Sequence, residues 1–342
     1  SVIGMRTSEV FAKTAAMDGV VTGITDKGIT VKYSDGTEEG YAIGTLYGKA
    51  EGSVYPHNLV TPMKVGQKFK KDEYLTYNTG FFEPDPVLPG GIVYKGSMMT
   101  RIAFMEVPQT HEDSSAISHA LSQRLMTTTT KVKTFTVGFK QNVLDIVKVG
   151  QRLRPEDILM IIEDEITSGD DSFRDASLSI LSERSKNAPR CGYIGTVSDI
   201  EVFYHGDTRD MTSSLKSIAT RSDKVKAEEA KARLKEGTTG FVNSDFTVDG
   251  TPLALGKAVI KVYINVRDDA TTGDKVVWGH QLKSVIGEIM PYTLRTESGD
   301  IVDAKIGAKS FAARIVESIV KIGEKATILE VTGKQAAALF KG

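Results

Sequence analysis

Apolar and polar residues alternate along most of this chain, and the alternation stops at turn signals. Val20, Val21, Ile24, Ile29, Val31 and Tyr33 flank Asp26-Lys27-Gly28 and Ser34-Asp35-Gly36. A period of two places every second side chain on one face, so this pattern predicts antiparallel hairpins over the first 50 residues. A twelve-residue pattern occurs twice, from Lys64-Val65-Gly66-Gln67 to Leu75 and from Lys148-Val149-Gly150-Gln151 to Leu159. Each copy predicts a strand, a Gly turn and a polar loop into a second strand, a device of small sandwiches and barrels. Val197, Ile200 and Val202 mark another strand over 194–204. Ile260, Val262, Ile264 and Val266 mark a half-buried one, broken by Asp268, Asp269, Thr271, Thr272 and Gly273 before Val285, Ile286 and Ile289 resume the apolar pattern.

Helical spacing is rarer. Ala116, Ala120, Leu121 and Leu125 predict a helix over 113–126, with Glu112 and Asp113 suited to its N-terminus through the helix dipole. A short helix is expected over 174–188. The polar stretch 209–236, with few apolar anchors at Leu215, Ile218, Val225 and Leu234, predicts a protruding helix or helical hairpin. Residues 331–342 predict a short terminal helix, too brief to stand alone, that docks on a partner. Residues 76–97, with Pro84, Pro86, Pro89 and Gly90-Gly91, read as an extended connection. The whole is a mostly β, α+β chain.

At 342 residues, two or three modules are expected, because single cores stop growing at roughly 250 to 300 residues. The composition, 40% hydrophobic and 25% charged, is that of an ordinary packed protein. The lone Cys191 excludes an internal disulfide, fits a reducing compartment and reads as a core or semi-buried thiol. No run of 18 apolar residues and no basic-plus-apolar leader appears, so neither a membrane nor secretion is expected. A net charge of −1 excludes nucleic-acid binding through a global field. Residues 257–342 carry 13 Lys+Arg against 10 Asp+Glu, so any such contact would use a local patch or partner chains.

The candidate patch is Lys275 and Lys283, read as carried on a loop between two apolar strands with His280 between them. Two ammonium groups on a rigid frame suit a phosphate-rich ligand, and the plain alternative is a solvated loop. Gly273-Asp274-Lys275, His280 and Lys283 are similar to the G-D-K-x-x-x-x-H-x-x-K signature of the second-largest (β) subunit of multisubunit DNA-dependent RNA polymerases. Met290-Pro291-Tyr292, Gly299-Asp300-Ile301-Val302-Asp303 and Arg314 resemble that family's M-P-Y, D-G-T-P-V-D and P-S-R-M-N segments in the same order. Met99 to Met105, Glu112-Asp113 and Ile117-Ser118 resemble its N-x-R-V-A-F-M and E-D-A-I-V-I-S segments, and Gly4-Met5-Arg6 its G-M-E-R segment. One departure is Gly279-His280-Gln281-Leu282-Lys283-Ser284, which stands where the family has R-H-G-N-K-G. The family's upstream half also has no counterpart, so a split β subunit of the kind giant tailed phages encode is expected.

The resemblance implies a double-psi β-barrel-like hybrid-binding core with a flap-like β module and a helical insertion. It lays the chain out as 1–128, first part of the core; 129–208, flap-like module; 209–254, insertion; 255–330, second part of the core; and 331–342, docking tail. It assigns Lys275 and Lys283 to the RNA 3′ end and hybrid, with His280 as a phosphate or loop-ordering contact and Arg314 at the nucleoside triphosphate. Glu112 and Asp113 would lie near the second metal and act through water, although helix capping explains them as well. Arg101 would touch the hybrid, although a strand arginine more often pairs with an acid. The Mg²⁺ ions would be held mainly by D-F-D-G-D aspartates of a partner subunit, because this chain carries no such triplet. The implied partners are an N-terminal β fragment, β′-like fragments, a promoter-specificity factor, DNA template, RNA and nucleoside triphosphates. The place would be the infected-cell cytoplasm, a phage compartment or the virion.

Three further features bear on chemistry. Ser168-Gly169-Asp170-Asp171 mimics a viral polymerase G-D-D hairpin, but its polar surroundings read as a surface turn. The repeated V-G-x-x pattern also occurs in lipoyl and biotin carriers, yet neither copy is followed by their E-x-M-K turn. A non-catalytic structural or carrier protein is therefore the alternative function. Trp278, the sole tryptophan, is expected to pack into a neighbouring subunit, and His57, His119 and His205 to be surface or packing residues.

Overall fold

Antiparallel hairpins open the chain, as the alternation predicts. Gly19–Ile24 pairs with Gly28–Tyr33, which pairs with Glu38–Ala42, and Gly44–Ala50 pairs with Ser53–Val60. The structure is a computed structural model that describes residues 10–50, 52–85, 91–95, 98–164, 188–232, 234, 239–279, 282–313 and 317–341. The fold is α+β and mostly β. It divides into two compact units, Ser1–Lys95 with Thr128–Arg267, and Gly96–Thr127 with Asp268–Gly342. These boundaries differ from the five sequential segments expected above.

In the first unit a nine-stranded sheet runs Ala12–Thr14, Tyr74–Asn78, Ser53–Val60, Thr127–Gly138, Lys257–Asp268, Gly195–His205, Arg152–Leu153, with Gly44–Ala50 and Gly240–Phe241 pairing off this path. Lys257–Asp268 is more buried than a half-buried strand: Ala258, Val259, Ile260, Val262, Tyr263, Ile264 and Val266 are all shielded. The polar stretch after 209 forms one helix, Ser213–Lys231. It does not protrude as expected, because Leu215, Ile218 and Ala219 lie in the same cluster as Val202, Ile260 and Val262. Three apolar residues at helical spacing suffice to dock an otherwise charged helix.

The repeated pattern folds twice with the same bonds. Gly66 (φ 81°) and Gly150 (φ 86°) take the left-handed turn, as do Asp72 (φ 71°) and Glu156 (φ 73°). Gly66 N–H donates to Val21 O and Gly150 N–H to Val197 O, both at 2.8 Å. Asp72 N–H donates to Ala15 O at 2.9 Å and Glu156 N–H to Cys191 O at 2.8 Å. Residues 15–21 therefore serve the first copy as 191–197 serve the second, preceding it in one case and following it in the other. Cys191 is buried, and its thiol donates to Tyr193 O at 3.2 Å.

The second unit is built on a five-stranded sheet in the order Ile102–Phe104, Ala304–Ile306, Ser114–Ser118, Leu282–Met290, Lys275–Trp278. Ser114–Ser118 lies antiparallel to Ala304–Ile306 and parallel to Leu282–Met290. One face packs Ile117, Leu121, Trp278, Leu282, Ile286 and Ile306 into a core. The helix expected over 113–126 is therefore corrected to a strand, Ser114–Ser118, followed by a short helix, His119–Arg124. Short apolar runs do not reveal their period, and pairing on both sides decided this one. The terminal helix is also longer than expected, Glu317–Lys341, with Ile328, Leu329, Leu339 and Phe340 exposed. The stretch 174–187, the Ser168–Asp171 turn and Gly4-Met5-Arg6 lie outside the described residues.

Candidate functional site

Lys275 and Lys283 sit on two paired antiparallel strands, Lys275–Trp278 and Leu282–Met290, which corrects the expectation of a loop. Lys275 pairs with Val285 and Val277 with Lys283. The two lysines are thus diagonal neighbours on one face, roughly 7–8 Å apart at such positions of an antiparallel ladder. All four residues are exposed, whereas Trp278, Leu282, Ser284 and Ile286 point the other way and are buried. Period-two alternation dictates this split. Two like charges held side by side repel one another, and an anion over that face relieves the repulsion.

The turn before the hairpin fixes where Lys275 begins. Gly273 has φ 94°, a conformation open to glycine. Its N–H donates to Ile286 O at 2.8 Å, and Thr271 N–H donates to the Asp274 carboxylate at 2.9 Å. The motif glycine and aspartate are thereby accounted for as turn formers.

Glu112 and Asp113 occupy an exposed turn ahead of Ser114–Ser118, with Glu112 at φ 56°. They cap no helix. The N-cap of His119–Arg124 is Ser118, whose hydroxyl accepts from Leu121 N–H at 3.1 Å. Asp113 instead reaches the hairpin: its carbonyl accepts from Ser284 Oγ at 2.8 Å and from Val285 N–H at 3.1 Å. The acidic pair and the lysine hairpin, 171 residues apart in sequence at Asp113 and Ser284, are neighbours in one sheet.

Arg101 is engaged elsewhere. Its backbone N–H donates to Asp303 at 2.9 Å, and its guanidinium contacts Ile301 O at 3.2 Å and Glu330 at 3.1 Å. Arg124 holds the other oxygen of Asp303 at 3.1 Å. These contacts tie the strand ends and the terminal helix together. His280 and Arg314 lie outside the described residues.

Trp278 is not available to a neighbour through its ring: it is 6% exposed in the core of the second unit, with no hydrogen-bond partner for its indole N–H among the described residues. Among those residues, no group of three or more His, Cys, Asp or Glu side chains is placed to hold a metal ion, and no helix is long and apolar enough to cross a membrane.

Sequence reasoning missed two polar groups. In the first unit, Tyr47 and Tyr263 stack at 4.2 Å beside a cavity of about 810 Å³ also lined by Glu201. Burial pushes the Glu201 carboxyl up to about 7, against a hydrogen bond from Tyr263 at 2.5 Å that favours the charged form. Burial likewise pushes Tyr47 up to about 12. In the second unit, Lys305 is buried in the middle of the sheet. The one sequence signal for either was a charged residue inside an apolar run. No family model and no curated protein matches the sequence.

Proposed function

We propose that this chain is a subunit of a DNA-dependent RNA polymerase. In this role it supplies basic residues that bind the RNA 3′ end, the hybrid and nucleotide phosphates. The observation that supports the reading best is convergence. Segments 99–118 and 273–290, which carry much of the resemblance, meet in the five-stranded sheet of the second unit. Both signature lysines stand on its exposed hairpin face.

Preplaced ammonium groups stabilise charge that builds on transferring phosphates without reorganising at the moment of reaction. Lys275 and Lys283 take this role, with His280 and Arg314 as further phosphate contacts, while Glu112 and Asp113 orient basic groups or metal-bound water. The second unit is read as the double-psi barrel-like core, completed by partner chains. Mg²⁺ comes with the partner subunit that carries D-F-D-G-D, and the complex works in an infected cell or virion.

The duplicated β device of the first unit keeps one rival in view, a structural or carrier protein built from such repeats. Purification of the chain from its native source separates the two. The polymerase reading expects D-F-D-G-D-bearing chains to co-purify, and expects Lys275→Ala plus Lys283→Ala to leave assembly intact while abolishing RNA synthesis. A complex that transcribes normally with both lysines removed rejects the assigned role.

A further inference from the structure

Lys305 is 4% exposed, on the middle residue of the strand Ala304–Ile306. Its neighbours in register are two alanines, Ala103 on one side and Ala116 on the other. Ala304 and Ile306 belong to the core cluster, so alternation turns Lys305 to the opposite face. Register then carries that face across the sheet. Ala116 is level with Lys305 and with Glu288, and Ser114, two residues earlier, is level with Val285, because an irregularity in the pairing skips Gly287 and brings Val285 and Glu288 to the same face. Val285 is the residue opposite Lys275. Lys305 therefore shares a sheet face with the two hairpin lysines.

Its ammonium carries three donors. One donates to Tyr292 Oη at 2.8 Å, with the ring centroid 5.3 Å away. No ion pair joins Lys305 to a carboxylate among the described residues, Glu288 included. A buried ammonium whose one hydrogen bond among the described residues goes to a neutral phenol is costly, because lysines leave water when an anion or a full set of acceptors meets them. Glu288, level with it two strands away, keeps its buried Oε2 without a hydrogen bond among those residues. Tyr292 itself is 51% exposed. The ammonium is thus one hydrogen bond from solvent, and the phenol that accepts its hydrogen bond keeps an O–H to donate.

We propose that Lys305 and Tyr292 form an anion-binding site for a phosphate group. The two remaining ammonium N–H groups and the Tyr292 O–H would converge on its oxygens. The phosphate belongs either to a free phosphate compound or to an RNA backbone crossing the lysine face. The site rests on the burial and bonding of Lys305, so it stands even if the polymerase reading fails.

The test uses the full chain, pyrophosphate and a short oligouridylate as probes, and calorimetric titration with thermal unfolding as readouts. Wild-type protein is expected to bind at least one probe and to be stabilised by it. Lys305→Met, which keeps the length of the stem and removes the charge, is expected to lose that response. Tyr292→Phe is expected to weaken binding roughly ten-fold, the worth of one hydrogen bond to a charged group. Lys305→Met is expected to lower probe affinity in the Lys275→Ala plus Lys283→Ala background as well, which separates this site from the hairpin. Binding of both probes points to a free phosphate compound, and binding of the oligonucleotide alone points to a backbone phosphate. The proposal is overturned if wild-type protein binds neither probe, or if Lys305→Met binds as tightly as wild type. Should Lys305→Met not fold, unchanged binding by Tyr292→Phe overturns it.

Discussion

Ser284 Oγ donates to the backbone carbonyl of Asp113 at 2.8 Å, and through this bond the turn that carries the acidic pair is fastened to the strand that carries Lys283. Ser284 is buried, so removing its hydroxyl takes a donor from the Asp113 carbonyl without admitting a water in its place. Ser284→Ala is expected to lower stability by about 1 kcal/mol, read from the urea midpoint, and to raise hydrogen exchange at Val285. An unchanged midpoint would show that the Val285 N–H bond alone anchors the turn.

The hairpin lysines lead to a prediction in salt. Each cation that neutralises a single-stranded backbone phosphate contributes about 0.7 to the slope of log affinity against log salt concentration. Lys275→Ala plus Lys283→Ala should therefore reduce the slope for oligonucleotide binding by about 1.4, with a nearly uniform loss across sequences. A slope identical to wild type would place both lysines off the path of the ligand.

Gly307 ends the strand of Lys305 where there is no room for a side chain. A Cβ there would lie 2.6 Å from the Thr110 carbonyl oxygen, a backbone atom that cannot swing away. Gly307→Ala is expected to cost about 1–3 kcal/mol, the range for overpacking. Circular dichroism melting of the variant against wild type measures it, and an unchanged melting temperature would contradict the close approach.

Glu201 gives the first unit a pH dependence. Burial raises its carboxyl from the ordinary 4.5 to about 7, so the folded chain holds a proton there that the unfolded chain releases. The stability this proton confers is fully present below pH 4.5 and is lost as pH rises through about 7. The loss amounts to about 1–3 kcal/mol once partial solvent access is counted. Glu201→Gln should flatten denaturant midpoints over that window. A variant whose pH profile matches wild type would assign the titration to another group.

Local patterns decided what could be read without coordinates. The hairpins around Gly28 and Gly36, the strands Gly195–His205 and Lys257–Asp268, and the repeat at Gly66 and Gly150 were legible, because a period of two and a positive-φ turn are written within a few neighbouring residues. The spacing of Lys275 and Lys283 was legible for the same reason. Tertiary structure decided the rest. Ser114–Ser118 became a strand only because Ala304–Ile306 and Leu282–Met290, both far later in the chain, paired on its two sides. Half of each repeat, at 15–21 and 191–197, was hidden because its partner comes from the opposite side of the chain in the two copies. Lys305 looked like any surface lysine in Ala-Lys-Ile, and Glu201 like any strand acid. Burial is a property of what other segments place over a residue, and that is settled by register and packing between distant segments.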